Sequence, residues 1–183
     1  MKITPTNLVD SFVISPNIFQ DGRGFFYEFY NRRSFTELTG LDINFIQDNI
    51  SKSSKGVLRG LHFQKGNAAQ SKLVSILKGS VLDIIVDLRK DSPSFKKYFS
   101  IVLSAENHLQ LFIPKGFAHG YLCLEDDTIF CYKIDNYYNK SSESGVKYND
   151  PDLNIDWQFD LSKVTLSDKD TKLPYLKEIL HEL

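Results

Sequence analysis

The sequence predicts a single all-β domain, a sandwich or barrel with only a few short helices. Three observations carry that expectation. From Phe12 to Asp135, short segments rich in Val, Ile, Leu, Phe and Tyr are separated by Gly, Pro, Asn, Asp and Ser, the punctuation of strands and turns. Helical patterning is confined to two short stretches. The chain of 183 residues is long enough for one core of ordinary size and too short for two.

Taken in chain order, a first helix is predicted over residues 34–39, where Ser34 and Glu37 have capping-box spacing ahead of Gly40. In residues 72–78, Leu73, Ser75 and Leu77 alternate with Lys72, Val74, Ile76 and Lys78. Gly79-Ser80 then turns the chain into residues 80–89, which predicts a hairpin. Leu109, Leu111 and Ile113 share one face of a strand that Pro114 ends, and residues 128–135 form another. Leu173, Leu176, Ile179, Leu180 and Leu183 make the apolar stripe of a C-terminal helix, expected on the outside of the barrel or on a partner subunit. No repeat, low-complexity tract or linker divides the chain, and residues 65–69 and 140–145 are the expected flexible stretches.

Charge is balanced, with 22 basic and 23 acidic residues, so the basic excess of a nucleic-acid binder is absent. The longest apolar runs, such as residues 81–86, are interrupted by Asp83 and followed by Asp87, well short of a membrane span. The N-terminal residues lack the apolar stretch of a secretory signal, and the only two cysteines, Cys123 and Cys131, read as small buried hydrophobes. A cytoplasmic protein is expected.

Several polar residues stand where a dry core would not need them. In Gly56-Val57-Leu58-Arg59-Gly60-Leu61-His62-Phe63-Gln64, His62 and Gln64 fall on one strand face, with Arg59 beside a glycine. Lys72 opens the next strand, Pro114-Lys115-Gly116-Phe117-Ala118-His119-Gly120 ends in a second histidine, and Tyr132 lies in a later strand. Singly, each is an ordinary structural residue: a hydrogen-bonded histidine, a packed tyrosine, a solvated strand-end cation. Together they supply a base near neutrality, fixed cations and a phenolic acid.

The order of short motifs goes further. Asp21-Gly22-Arg23-Gly24-Phe25-Phe26-Tyr27-Glu28 is followed by Gln47-Asp48-Asn49-Ile50-Ser51, the Gly56-to-Gln64 segment, Gln70-Ser71-Lys72-Leu73-Val74 and Val86-Asp87-Leu88-Arg89. The Pro114-to-Gly120 segment, Tyr132-Lys133, Tyr137-Tyr138, Asn149-Asp150-Pro151, Ile155-Asp156-Trp157 and Leu166-Ser167-Asp168-Lys169-Asp170 complete the series. From Phe19 to about Lys169 the chain resembles the dTDP-4-dehydrorhamnose 3,5-epimerase family. The resemblance implies a cupin-type jelly roll, a homodimer with exchanged N-terminal strands, and a dTDP-sugar substrate in the pathway to dTDP-rhamnose and surface polysaccharide.

Carried over by position, it implies His62 as general base, Tyr132 as general acid, Lys72 beside the substrate ketone and Asp170 as carboxylate partner of His62, with Asp168 as the alternative. Arg23, Glu28, Gln47, Asn49, Arg59, His119, Tyr138, Glu143 and Lys169 match positions that hold sugar, diphosphate or nucleoside. No cofactor is expected. In a 4-ketosugar the hydrogens on carbons 3 and 5 are acidic, yet well above the ~6.5 of an ordinary histidine. A cation at the oxygen where enolate charge develops lowers that barrier, and inversion needs a second acid on the opposite face.

Three other readings compete. Pro114-x-Gly116-x-x-His119 resembles the second motif of metal-dependent cupins, but Gln64 stands where a second histidine is usual and the carboxylate ligand is missing, so no metal is expected. A binding module that had lost its chemistry would need neither His62 nor Tyr132. Inversion at one carbon only, or action on a related nucleotide sugar, would use the same residues.

Overall fold

A computed structural model describes residues 1–183, which fold into thirteen strands and three short α-helices. The first strands are β1 (Lys2–Pro5), β2 (Phe12–Ser15), β3 (Phe19–Asp21) and β4 (Gly24–Phe26), followed by helix α1 (Arg32–Thr39). Then come β5 (Gln47–Ser53), β6 (Leu58–Gln64), β7 (Lys72–Lys78), β8 (Ser80–Asp87), β9 (Tyr98–Ser104), β10 (Gln110–Ile113), β11 (Phe117–Cys123), β12 (Thr128–Ile134) and β13 (Glu143–Gly145). Helices α2 (Asp168–Thr171) and α3 (Leu176–Ile179) close the chain. No helix is long and apolar enough to cross a membrane.

Two antiparallel sheets form the predicted sandwich, one of six strands in the order β1-β2-β10-β7-β12-β5 and one of five in the order β13-β6-β11-β8-β9; β3 and β4 make a separate small hairpin. This is the all-β, cupin-type jelly roll that the family resemblance implies. Between the sheets lies a core that includes Val74, Ile76, Val81, Ile85, Leu103, Phe117 and Phe130. The outer face of the five-stranded sheet carries a second core, where Leu58, Leu61, Leu82, Ile84 and Val86 pack against Trp157, Leu176 and Ile179 of the C-terminal segment. β8 is therefore buried along its whole length, its two sets of alternating residues serving different cores. On the outer face of the six-stranded sheet, Phe35 of α1 meets Ile14, Leu73 and Phe112.

Several expectations are corrected. Residues 72–78 and 80–89 do not form a hairpin: β7 pairs with β10 and β12, whereas β8 pairs with β9 and β11, so Gly79 carries the chain from one sheet to the other. Gly79 has φ 74°, and a Cβ there would run into Thr128, so the turn requires glycine. Helix α1 starts two residues early because Asn31, not Ser34, is its N-cap: the Asn31 side chain accepts from the Ser34 amide at 3.2 Å. Gly40, φ 72°, ends the helix as expected.

The C-terminal helix is short. Pro174 disfavours helical backbone at Leu173, so α3 begins only at Leu176 and passes into a 3-10 turn over Leu180–Glu182. Its buried face packs on the chain's own five-stranded sheet. Residues 140–145 are not a plain loop either: Glu143–Gly145 adds β13 to the edge of β6, with Glu143 opposite Gln64.

Candidate active site

β5 shows the alternation of a strand with its polarity reversed. Gln47, Asn49, Ser51 and Ser53 are the less exposed positions, while Asp48, Ile50 and Lys52 point outward. Since β5 pairs with β12, the inward side chains form a polar wall beside Tyr132, which sits opposite Asn49. β6 supplies the facing wall. Its register against β11 shifts between the pair His119–His62 and the pair Tyr121–Arg59, so two residues of β6 stand against Gly120 alone. Three positions apart, Arg59 and His62 would face opposite sides of a regular strand. The bulge lets both face inward while Leu61 and Phe63 enter the outer core.

The backbones at this bulge approach too closely for side chains. A Cβ on Gly60, φ 114°, would lie 2.6 Å from Gly120 Cα, and one on Gly120 would lie 2.8 Å from the Arg59 carbonyl. Both glycines are therefore part of what aims His62.

His62 and Tyr132 reach into one cavity of about 370 Å³ from opposite sheets, and Lys72, Gln47, Asn49, Tyr138 and Glu143 share its lining. His62 Nε2 lies 2.5 Å from Asp170 Oδ1, and Ser167 donates to the other Asp170 oxygen at 2.8 Å. The carboxylate only accepts, so Nε2 bears the hydrogen and Nδ1 keeps the basic lone pair. Burial raises the Asp170 carboxyl, but His62 and Ser167 outweigh it and hold it below the usual range. Asp170 is buried at the start of the C-terminal segment, whereas Asp168 is exposed and makes no bond to His62.

Lys72 lies on the inner face of β7, and burial lowers its ammonium to about 8 against the opposing pull of Asp83 and Glu143. Burial also pushes the Tyr132 phenol up, partly countered by Arg59. Glu143 accepts from Tyr138 at 2.9 Å and pairs with Lys169; burial raises its carboxyl, and these partners more than reverse the effect. Gln47 donates to Asn49 at 2.8 Å, and Arg59 is held over Ser53, with Nη2 to Oγ 3.1 Å.

Six expected site residues are not among those lining this cavity in the same chain: Asp170 and Lys169, which bond to the lining residues His62 and Glu143, Arg59, which is held at Ser53, and His119, Arg23 and Glu28. His119 is buried behind the cavity, with Nε2 at 3.1 and 3.0 Å from the two Asp83 oxygens. Arg23 lies on the small β3–β4 hairpin, its side chain 90% exposed and paired with Asp21 at 2.7 Å. Glu28 accepts from Asn31 at 3.0 Å, also away from the cavity. Asp83 is a charged residue that sequence reasoning registered only as an interruption of an apolar run. A carboxylate inside the all-buried strand β8 was the available signal. No group of three His, Cys, Asp or Glu side chains is arranged to hold a metal ion.

Known proteins share this sequence pattern and backbone. The family model described as dTDP-4-dehydrorhamnose 3,5-epimerase matches residues 5–178. The chain is 47% identical over 180 residues to the dTDP-4-dehydrorhamnose 3,5-epimerase of Escherichia coli K12, covering 98% of this chain and 97% of the relative. The crystal structure of that enzyme from Elizabethkingia anophelis superposes with a TM-score of 0.94 at 54% identity, covering 97% of each chain. A Legionella pneumophila dTDP-6-deoxy-D-glucose-3,5-epimerase in complex with dTDP-4-keto-L-rhamnose superposes with a TM-score of 0.94 at 45% identity, covering 99% of this chain and 95% of that one. Matched along almost its whole length in sequence and in backbone, the chain belongs to the dTDP-4-dehydrorhamnose 3,5-epimerase family.

Proposed function

We propose that this protein converts dTDP-4-dehydro-6-deoxy-D-glucose to dTDP-4-dehydro-L-rhamnose by inverting carbons 3 and 5 in turn. The observation that carries the reading is the convergence of a carboxylate-backed imidazole and a buried phenol on one cavity from opposite sheets, with an ammonium on its wall. His62 removes the proton from the carbon beside the ketone, and the electron pair moves onto the ketone oxygen. Lys72 stabilises that oxyanion. Tyr132 then donates its phenolic proton to the other face of the carbon, and the ketone re-forms. The imidazolium, stabilised by Asp170, returns its proton to solvent, and the phenolate regains one. The same cycle serves the second carbon.

Gln47, Asn49, Glu143 and Lys169 hold the sugar and nucleoside, and Arg59 receives the diphosphate, for which the guanidinium fork is suited. Arg23 and Glu28 complete the site of a partner subunit in a homodimer that exchanges N-terminal strands. In support, Phe19, Phe25 and Phe26 of the β3–β4 hairpin are more than half exposed in the single chain, as is Ile50 on the outer face of β5.

One proton NMR time course in deuterated water with dTDP-4-dehydro-6-deoxy-D-glucose tests the activity. Loss of both the carbon-3 and carbon-5 signals with formation of the L-rhamno product is expected; exchange at one carbon would establish a single-carbon epimerase, and none would leave a binding module. Mixing an Arg23→Ala chain with a His62→Ala chain should restore activity, and verified mixed dimers without rescue would refute the shared site.

A further inference from the structure

A carboxylate that the proposed cycle does not use lies behind the cavity. Asp83 stands on the inner face of β8 between Val81 and Ile85 and is fully buried. Both neighbours on that face belong to the inter-sheet core. An apolar side chain would fill the position without the desolvation that an ionised carboxylate suffers there, unless cations offset it.

Two basic side chains are arranged to do so. His119 from β11 presents Nε2 to both Asp83 oxygens, and Lys72 reaches in from the opposite sheet, where Asp83 acts on it through space. The groups facing Lys72 are Asp83 on β8, Glu143 on β13, His62 on β6, His119 on β11 and Tyr132 on β12. Only Asp83 and Glu143 among these are carboxylates. Glu143 is already committed to Lys169 and Tyr138, which leaves Asp83 as the principal counter-charge.

We propose that Asp83 is a positioning residue of the epimerisation, fixing the His119 ring through Nε2 and keeping the Lys72 ammonium charged where the ketone oxygen will sit. Burial holds His119 neutral, so it donates Nε2–H to Asp83, which fixes the tautomer and the ring behind the cavity wall. The same burial acts on Lys72, and Asp83 is the first force opposing it. Without that charge, Lys72 loses its proton at lower pH. The inference rests on the assignment of Lys72 to the ketone oxygen.

The test is the pH profile of kcat for Asp83→Asn, Asp83→Glu and Lys72→Met. Wild-type kcat is expected to fall through an alkaline limb near 8 as Lys72 deprotonates. In Asp83→Asn the limb should move down by about one pH unit, so that activity at pH 8 relative to pH 6 drops roughly fivefold further than in wild type. Asp83→Glu retains the charge and should keep the limb close to wild type.

Lys72 acetylation, followed by mass spectrometry across the same pH range, should show the same displacement in Asp83→Asn. If that variant does not fold, Asp83→Ser, which leaves room for water, takes its place with the same readouts. An inactive Lys72→Met beside a neutral Asp83 variant with an unmoved limb would overturn the role of Asp83 alone. Wild-type kcat in Lys72→Met would instead overturn the assignment on which it rests.

Discussion

Replacing Gly120 by alanine adds one methyl group at the point where β11 meets the bulge of β6. The new Cβ would lie 2.8 Å from the Arg59 carbonyl oxygen, 3.0 Å from Leu61 Cδ2 and 3.3 Å from Gly60 Cα. Two of these three atoms are backbone, so the strands must part; no side-chain rotation relieves the contact. Overpacking of this kind costs about 1–3 kcal/mol. In a chain of this length each kcal/mol corresponds to a Tm change of roughly 2–4 °C, which predicts a fall of about 2–12 °C.

The residues that must move carry Arg59 on one side of the bulge and His62 on the other, and a displacement of the base by about 1 Å costs on the order of 100-fold in rate. Thermal unfolding and the deuterium-exchange assay measure the two effects on the same preparation. Gly22→Ala, where a Cβ meets nothing within 4 Å, is the stability control, with Tm expected to stay within about 1 °C. A Gly120→Ala protein with unchanged Tm and wild-type kcat would refute the claim that this backbone contact aims the histidine.

Asp170→Asn leaves the packing of α2 nearly unchanged but removes the charge facing His62 Nε2. It should lower kcat by about 100-fold to 10,000-fold with little change in KM, measured in steady state. Tyr132→Phe keeps the ring and loses the proton donor, so product formation should fall at least ~100-fold while His62 still exchanges substrate hydrogen; equal loss of exchange and product would argue against separate acid and base. Leu176→Ala empties a fully buried position in the outer core and should cost about 2–5 kcal/mol by urea unfolding, against the marginal effect expected of a loosely attached C-terminal segment.

The fold class and most strands were legible because apolar alternation and turn residues report local conformation directly. Which strands pair is a different question. Residues 72–89 have the pattern of a hairpin, yet Gly79 turns the chain across the sandwich, and nothing in local periodicity distinguishes that path from a return within one sheet. The helix at Arg32–Thr39 was visible, but its cap was misplaced because Asn31 and Ser34 are both competent caps and only the burial of Phe35 fixes the start. The spacing of leucines suggests a longer C-terminal helix than forms, because Pro174 disfavours helical backbone at Leu173 and the stripe pattern does not register it.

His62, Lys72 and Tyr132, which the ordered motifs single out, share one cavity, and coordinates were needed to separate Asp170 from Asp168 as the neighbour of His62. The bulge that turns Arg59 and His62 to one side has no signature in an alternating pattern. Asp83 was hidden for a related reason: its partner His119 is 36 residues away on the neighbouring strand, and only the pairing of β8 with β11 brings them together.

The reversed alternation of β5 separates two kinds of information along seven residues. Its inward amides and hydroxyls bury almost no hydrocarbon, and the strand lies at the edge of its sheet with only β12 beside it. Under the proposed function, recoding Gln47 or Asn49 should therefore alter substrate recognition while barely touching the free energy that folds the chain. On that reading, this margin of the jelly roll is where a changed sugar-nucleotide preference would put the scaffold at least risk.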